Sequence, residues 1–149
     1  MQKKHTLAVY GTLRQGFGNN RLLSRATYLG YGNTLGGGWR MYCNGAFPYA
    51  VQSYDIDDEA DDIAVELYEV DDDTLSTCNK LEGFPGWYDR TSVLCAYSDA
   101  LGRVRTTNAL LYYMHQDQLE RRYVVRVSAR GTGVLDWYKH RELVADAQV

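Results

Sequence analysis

The stretch VYGTLRQG, residues 9–16, places a glycine-containing turn directly after the strand-like run Thr6–Val9. Gly11 is able to adopt backbone angles that are closed to other residues, and it lets a ligand approach the main chain. A turn at the end of a strand exposes successive backbone N–H groups, and such a concavity suits an anionic group. The same stretch is also consistent with an ordinary exit from a strand into a loop. A second, chemically complementary element elsewhere in the chain is needed to decide between these interpretations.

Length and composition indicate one ordinary domain with a core of its own. The chain has 149 residues, of which 45% are hydrophobic and 23% are charged, as is typical of a single folded domain. The net charge of −3 argues against a nucleic-acid partner, because phosphate binding needs clustered Lys and Arg. No apolar run approaches the roughly 18 residues of a membrane span. The residues before the first strand contain no apolar signal region, so we expect a cytoplasmic protein.

Two residue counts carry further information. The three cysteines, Cys43, Cys78 and Cys95, form no C-x-x-C pair, and we expect them to be reduced, buried thiols. Thirteen tyrosines stand against three phenylalanines. Because a buried tyrosine needs a partner for its hydroxyl, this excess indicates a cavity with a polar edge.

Short segments rich in aromatic and aliphatic residues dominate the chain and are separated by Gly, Asn and Pro, which predicts strands. The pattern is typical of a sheet or barrel of short antiparallel strands. With few helices beside them, the strands predict one α+β domain over residues 1–144, followed by a frayed tail over residues 145–149. The predicted strands are His5–Tyr10, Thr27–Thr34, Trp39–Cys43, Phe47–Gln52, Ile63–Val70, Tyr88–Tyr97 and Arg103–His115.

The strongest helix prediction covers Asp72–Leu81. Acidic residues at its start favour the helix dipole, and Gly83 supplies the stop. One face of this helix carries three apolar residues at helical spacing, namely Leu75, Cys78 and Leu81.

Two further helices are predicted with weaker patterns. Asn19–Ala26 forms a short helix that begins with Asn19 or Asn20 as its cap. Val134–Val144 forms the last helix and turns three side chains inward, namely Leu135, Tyr138 and Leu143.

Known metal and cofactor motifs do not match the chain. Residues 55–62 contain six carboxylates, but the run lacks the Gly and Glu positions of an EF-hand loop, so we expect a solvated loop or a surface facing a basic partner. The spacing of Gly11 and Gly16 fits a Walker A loop, but Phe17 and Gly18 follow where Lys and Ser or Thr belong. The chain has no G-x-S-x-G or H-E-x-x-H motif. We therefore predict no metal site and no cofactor.

The segment LEGFPGWYDR, residues 81–90, contains the best candidate for chemistry, Glu82. An acid at a helix C-terminus is electrostatically unfavourable. That field and the apolar neighbours Leu81, Phe84 and Trp87 predict a pKa above the ordinary value of about 4.3. Such a carboxyl group accepts and returns protons near neutral pH. The alternative is that Glu82 is a surface residue beside a helix cap.

Taken together, the two segments resemble the gamma-glutamylcyclotransferase-like superfamily, in particular its AIG2-like and gamma-glutamylamine cyclotransferase branch. Residues 10–16, YGTLRQG, resemble the opening loop of that branch, and residues 81–83, LEG, with Tyr88 and Arg90 resemble its catalytic segment. Residues 66–70, ELYEV, are similar to the lead-in to the family's helix. Features similar to the family also occur at residues 20–23, 28–30, 47–49, 109–112 and 136–141.

The chain departs from the family pattern at two places. Cys78 and Asn79 stand where the family usually has Leu and Asp, and Val65 stands where it commonly has Gly. Both departures leave Glu82 and the opening loop in place.

The resemblance implies a small mixed β-barrel with a few flanking short helices, enclosing a cavity for an L-γ-glutamyl group. It implies that the loop offers backbone N–H groups to the α-carboxylate of a small-molecule substrate, and that Glu82 is the general acid and base of a cofactor-independent cyclisation to 5-oxoproline. Tyr88 and Tyr112 are further candidates for lining the cavity and hydrogen-bonding the substrate, and each is equally consistent with a core tyrosine. The loop residues concerned are Tyr10, Gly11, Thr12 and Leu13.

Two other functions remain open at this point. One is a non-catalytic γ-glutamyl-binding or protein-interaction module on the same fold. The other is the same chemistry on a γ-glutamyl group attached to a large molecule. In either case we expect a monomer without a nucleic-acid or membrane partner.

Overall fold

A computed structural model describes residues 3–44, 46–53, 61–119, 124–129 and 131–141. Nine strands account for most of the regular structure, and the helices between them are short. The chain is also helical at 137–141. In chain order the elements are β1 (Lys4–Val9), a 3₁₀ helix (Gly18–Leu23), β2 (Thr27–Thr34), β3 (Trp39–Cys43), β4 (Pro48–Gln52), β5 (Asp62–Asp71), α1 (Asp72–Glu82), β6 (Asp89–Ser98), β7 (Val104–Tyr113), α2 (Gln116–Leu119), β8 (Val125–Val127) and β9 (Val134–Leu135).

Five strands close into a barrel in the order β1-β7-β6-β2-β5, because β5 pairs with β1 as well as with β2. The β1–β7 pairing is parallel and the other four pairings are antiparallel. A separate sheet has the order β4-β3-β8. The predicted α+β fold with a small mixed barrel and a few short helices is confirmed.

Two glycines of β2 allow the barrel strands to approach closely. A Cβ atom on Gly32 would lie 1.8 Å from the carbonyl oxygen of Ala96 in β6, and one on Gly30 would lie 2.1 Å from that of Ser98. Any side chain at these positions would force β2 away from β6. The two glycines therefore serve the closure of the barrel.

Alternating residues of β1, with Tyr10 directly after it, pack into two different hydrophobic clusters, as the two-residue period of a strand requires. Ala8 and Tyr10 belong to the cluster that includes the separate sheet. Leu7 and Val9 belong to the cluster under α1. All three cysteines are buried and form no disulfide, as predicted.

The predicted α1 is confirmed and extends one residue further, to Glu82. The Asp71 side chain caps its start by accepting a 2.7 Å hydrogen bond from the Thr74 N–H. Gly83 ends it in the left-handed conformation at φ 63°. Leu75 and Cys78 are buried as expected, but Leu81 is 42% exposed.

The prediction for Asn19–Ala26 is wrong in type and cap. The segment is a 3₁₀ helix that begins after Phe17. The side chains of both candidate caps are used elsewhere, since Asn19 donates to the Thr12 hydroxyl at 2.9 Å and Asn20 donates to the Leu13 carbonyl at 2.8 Å. These residues hold the opening loop instead of starting a helix.

The predicted helix Val134–Val144 is wrong at its start. Val134 and Leu135 form β9 and pair in parallel with Asp62 and Ile63 of β5, so the backbone is extended where a helix was expected. Trp137 is buried, whereas Tyr138 is 44% exposed and not turned inward. Leu143 and the predicted tail lie outside the described residues.

Two short elements, α2 and β8, are absent from the sequence-based prediction because they are too short for a periodic pattern. Most of the acidic run, residues 54–60, lies outside the described residues. Its last member, Asp62, accepts hydrogen bonds from the Thr34 hydroxyl and the Gly37 N–H. Within the described ranges, no group of three or more His, Cys, Asp or Glu side chains is placed to hold a metal ion, and no helix is long and apolar enough to cross a membrane.

Candidate active site

A cavity opens where the end of β1, the opening loop and the end of α1 meet. All seven residues predicted from the sequence lie in its wall, although they are as far apart in the chain as Tyr10 and Tyr112. The lining residues are Ala8, Val9, Tyr10, Gly11, Thr12, Leu13, Phe47, Pro48, Glu82, Tyr88 and Tyr112. We call this space the inner cavity.

Gly11 is required for a different reason from the one expected. Its φ is not positive, so the turn does not use the backbone angles that only glycine adopts readily. A Cβ atom at this position would lie 3.0 Å from Cγ of Pro48, so the absence of a side chain allows close packing between the loop and β4. The turn is closed by a 3.0 Å hydrogen bond from the Arg14 N–H to the Gly11 carbonyl.

Three backbone N–H groups of the loop take no part in hydrogen bonds within the described part of the chain. Among the described residues, the N–H groups of Gly11, Thr12 and Leu13 have no hydrogen-bond acceptor. The side chains of Asn19 and Asn20 bind this loop from outside, as described above. Three successive N–H groups beside a cavity form the kind of concavity that binds an anion.

Behind the loop lies a buried ionic cluster, which we call the Arg14 network. The Arg14 guanidinium binds Glu66 at 3.3 Å and Asp136 at 3.1 Å. Glu66 also accepts hydrogen bonds from the Gln15 N–H and the Tyr68 hydroxyl. Asp136 also accepts one from the Tyr31 hydroxyl at 2.8 Å. The network therefore fixes the end of the loop to β5 and to the residues after β9.

Reasoning from the sequence missed the Arg14 network. Its charged members lie in segments that were noted for their resemblance to the family, but they are 52 and 122 residues apart. Nothing in the spacing of Arg14, Glu66 and Asp136 indicates that they meet. A buried charge needs a partner, so the single arginine inside an otherwise uncharged loop was the available signal.

Glu82 is the last residue of α1. Its surroundings differ from those of the paired carboxylates in the Arg14 network. It is partly buried, and among the described residues it has no hydrogen-bond or ion-pair partner. Burial raises the pKa of Glu82 to about 7. The predicted upward shift thus has burial as its cause, and the group changes its protonation state near neutral pH.

The charge of Glu82 also acts on its neighbours. Burial and then the Glu82 carboxylate raise the pKa of the Cys78 thiol to about 12. Burial, followed by Glu82, also raises the pKa of the Tyr10 hydroxyl. Both groups therefore stay neutral beside it and provide no counter-charge.

The tyrosine hydroxyls of the cavity hold its walls together. Tyr10 donates to the Tyr112 carbonyl at 2.8 Å and accepts from the Ala50 N–H at 3.1 Å. Tyr88 donates to the Pro48 carbonyl at 3.1 Å. These bonds connect the barrel to the separate sheet across the inner cavity.

Asn79, one of the departures from the family pattern, has a defined place beside the cavity. Its side-chain carbonyl accepts hydrogen bonds from the Tyr112 hydroxyl at 2.6 Å and from Arg90 at 2.9 Å. Tyr112 thus both lines the cavity and belongs to the core, which unites the two interpretations given above.

A second, wider space continues outward from the inner one. This outer cavity shares four residues with it, and Glu82 is one of them. The inner cavity has a volume of about 40 Å³ and the outer one of about 360 Å³. At roughly 10–15 Å³ for one water-sized group, the inner space fits small polar head groups and the outer space fits a larger moiety. The outer cavity is lined by Thr12, Asn19, Asn44, Phe47, Tyr49, Leu81, Glu82, Trp87 and Tyr88.

Comparison with known proteins assigns this arrangement to a family. The family model for gamma-glutamyl cyclotransferase, AIG2-like, matches residues 7–139, which include the opening loop, Glu82 and Asp136. The chain belongs to the AIG2-like gamma-glutamyl cyclotransferase family. The family assignment supports a cyclotransferase role for the protein.

The chain is similar to a curated protein of Methanocaldococcus jannaschii that bears the name "Putative gamma-glutamylcyclotransferase MJ1514". The two are 38% identical over 86 residues, which span 57% of this chain and 67% of the relative. This similarity agrees with the family assignment.

Solved structures are similar in fold. The protein PH0828 of Pyrococcus horikoshii is 31% identical with a TM-score of 0.54, over 74% of this chain and 77% of the other. An AIG2-like protein of Mus musculus gives a TM-score of 0.60 at 21% identity, over the same shares of the two chains. At that identity the mouse protein supports the fold alone.

Proposed function

We propose that this AIG2-like protein cleaves the amide bond of an L-γ-glutamyl amine or γ-glutamyl amino acid and releases 5-oxoproline. The observation that supports this most is the carboxyl group of Glu82, which is partly buried in a cavity, has no described partner and has its pKa raised to about 7 by burial. It lies in the same cavity wall as the unpaired N–H groups of the opening loop. An acid–base group and an anion site therefore face one small space.

The loop N–H groups and Glu82 suit the two charged groups on the α-carbon of the substrate, its carboxylate and its ammonium group. In the proposed complex the N–H groups of Gly11, Thr12 and Leu13 bind the α-carboxylate. The ionised Glu82 takes a proton from the adjacent α-ammonium. The freed amine attacks the γ-carbonyl carbon and forms the new C–N bond of a five-membered ring. The bond to the leaving amine then breaks as Glu82 returns its proton to that nitrogen, and the ring nitrogen releases its second proton to water, which leaves 5-oxoproline and the free amine.

The expected contributions are sufficient for catalysis without a cofactor. The nucleophile and the electrophile belong to one molecule, so holding a ring-closing conformer contributes several kcal/mol. A positioned acid–base group adds roughly a hundred- to ten-thousand-fold. The pKa of Glu82 suits this work, because general acid–base catalysis is most efficient when the pKa lies near the working pH.

The Glu82→Gln variant tests the proposal because it keeps the shape of the side chain and removes the titrating group. We expect 5-oxoproline release from γ-glutamyl amides to fall by about a hundred- to ten-thousand-fold, while the melting temperature is not lowered. Glu69→Gln is a matched control, since Glu69 is an exposed glutamate of β5 and its replacement should leave the rate unchanged. Full activity of Glu82→Gln would overturn the mechanism.

Two alternatives give different results in the same assay. A non-catalytic γ-glutamyl-binding module would release no 5-oxoproline from any amide, yet γ-glutamyl ligands would still raise its melting temperature. An enzyme for a γ-glutamyl group on a large molecule would cleave small amides slowly and a γ-glutamyl-modified peptide fast. Fast turnover of small γ-glutamyl amides supports the proposed cyclotransferase function and contradicts both alternatives.

A further inference from the structure

The outer cavity begins at Glu82 and ends among exposed apolar side chains. Phe47 is 47% exposed, Leu81 is 42% exposed and Trp87 is 59% exposed. All three line this cavity. Large apolar side chains that stay in water beside a cavity, instead of joining the core, are typical of a ligand-binding surface.

Trp87 is held in place although it is exposed. Its backbone N–H donates to the Gly83 carbonyl at 2.8 Å. A Cβ atom on Gly83 would lie 3.0 Å from both Cβ and Cδ1 of Trp87, so the indole side chain packs directly on the helix stop. The neighbouring Gly86 carbonyl accepts a 2.9 Å hydrogen bond from the Gln118 side chain of α2. The aromatic surface is therefore pre-organised and loses little entropy when a ligand binds.

The amide side chains of the outer cavity are already engaged within the protein. Asn44 donates to the Tyr49 hydroxyl at 2.8 Å, and its carbonyl oxygen accepts from two backbone N–H groups. Asn19 donates to the Thr12 hydroxyl. These groups brace the wall, and what they leave for a ligand is mainly aromatic and aliphatic surface.

The charge of the residues that line the outer cavity also favours an uncharged, apolar ligand group. Among the described residues that line the outer cavity, Glu82 alone has a side chain that is charged at neutral pH, and no Lys, Arg or His side chain is present. A leaving group with its own carboxylate would lie near Glu82 without a counter-ion from the described lining residues, and like charges at short range repel. An uncharged apolar group meets no such cost.

We infer that the outer cavity selects γ-glutamyl amides whose leaving amine is aromatic or aliphatic and carries no carboxylate. This inference rests on the proposed function and names the substrate class of the same site. Phe47, Leu81 and Trp87 are the residues that determine the specificity. Glu82, at the junction of the two cavities, lies beside the nitrogen that leaves.

Matched substrates test the inference. γ-L-Glutamyl-2-phenylethylamide and γ-L-glutamyl-L-phenylalanine differ only in one carboxylate, and γ-L-glutamyl-ethylamide lacks the ring. We expect kcat/KM for the phenylethylamide to exceed that for each of the other two by about tenfold, which corresponds to about 1.4 kcal/mol. Equal or faster turnover of γ-glutamylphenylalanine would overturn the inference. Faster turnover of the 5-aminopentylamide would overturn it too, because the cavity would then select a cation.

The Trp87→Ala variant tests whether the outer cavity causes the preference for an aromatic leaving amine. We expect it to lower the ratio of kcat/KM between the phenylethylamide and the ethylamide by about twofold to tenfold, since an aromatic pair contributes about 0.5–1.5 kcal/mol. Phe47→Ala should lower the same ratio. Leu101→Ala is the control, because Leu101 is 73% exposed in the turn after β6 and lies outside both cavities. An unchanged ratio in both cavity variants would contradict the inference.

Calorimetric binding to Glu82→Gln separates failure of this inference from failure of the proposed function. If the wild type releases no 5-oxoproline but the variant binds the phenylethylamide about tenfold more tightly than γ-glutamylphenylalanine, the proposed function fails and the selectivity stands. If the wild type turns over all these substrates with equal kcat/KM and the variant binds them equally, the function stands and the selectivity fails.

Discussion

Two glutamates of this barrel are withdrawn from water in opposite ways. Glu66, at 6% exposure, accepts hydrogen bonds from Arg14, the Gln15 N–H and Tyr68. Glu82 has no partner of this kind among the described residues. The first carboxylate is fully engaged in holding the opening loop. For Glu82, no described partner offsets the loss of hydration on burial, and its pKa is raised to about 7.

The difference shows what makes a buried acid structural or reactive. In the Arg14 network, burial raises the pKa of Asp136, but the hydrogen bond from Tyr31 and the charge of Arg14 outweigh it and hold that pKa below its ordinary value. Beside Glu82 the described neighbours Cys78 and Tyr10 are neutral, and no described partner offsets the effect of burial. The network holds the opening loop in place, and the isolated carboxyl group changes its protonation state near neutral pH.

The largest expected effect on the free energy of unfolding comes from removing the arginine of the Arg14 network. Arg14→Met leaves two carboxylates buried without their cation, so we expect the free energy of unfolding to fall by about 3–5 kcal/mol. Denaturant unfolding at pH 7 measures this. Arg105→Ala is the control, because Arg105 pairs with Asp99 at 2.7 Å while its side chain is 55% exposed. Such a surface pair contributes about 0–1 kcal/mol, and an equal loss in both variants would contradict the account.

The isolated carboxyl group should behave in the opposite way. The folded-state pKa of Glu82, about 7, lies above its ordinary value of 4.5, so the folded state binds the proton more tightly and stability falls as the pH rises through this window. Glu82→Gln does not titrate there. We expect it to be more stable than the wild type at pH 8, by up to about 3 kcal/mol, relative to the difference at pH 4. Urea unfolding at the two pH values checks this, and a difference that does not change with pH would contradict it.

The smallest effect concerns one hydrogen bond at the edge of the Arg14 network. Tyr68→Phe removes the hydroxyl that donates to Glu66 and accepts from Asn20. Because Glu66 keeps Arg14 and Gln15, we expect a loss of only about 1 kcal/mol in the free energy of unfolding. Tyr28, whose ring packs against Tyr68 at 5.3 Å, is 43% exposed, and Tyr28→Phe should change stability by less than about 0.5 kcal/mol. A larger loss in Tyr28→Phe than in Tyr68→Phe would reverse the assignment.

Local patterns predicted most of the fold because they act over a few residues. The helix from Asp72 to the stop at Gly83 and the strands Thr27–Thr34 and Trp39–Cys43 agree with the structure. The prediction failed where a distant partner decided the conformation. Val134 and Leu135 are extended because they pair with β5, and Asn19 and Asn20 bind the opening loop instead of capping a helix.

In the candidate site, too, local features could be predicted from the sequence and contacts between distant residues could not. The sequence indicated Glu82 and the opening loop, because a misplaced acid and a glycine turn are local features. It did not indicate the Arg14 network, whose bonds join residues far apart in the chain. Nor did it indicate that Gly11 is needed for packing against Pro48.

The central claim is that Glu82 titrates near neutral pH because it is withdrawn from water and pairs with no described residue. A ¹³C NMR titration of the glutamate side-chain carboxyl carbons measures this directly, and the resonance that is missing in Glu82→Gln identifies the group. The account predicts a midpoint at about pH 7 for Glu82. A midpoint near its ordinary value of 4.5 would contradict it.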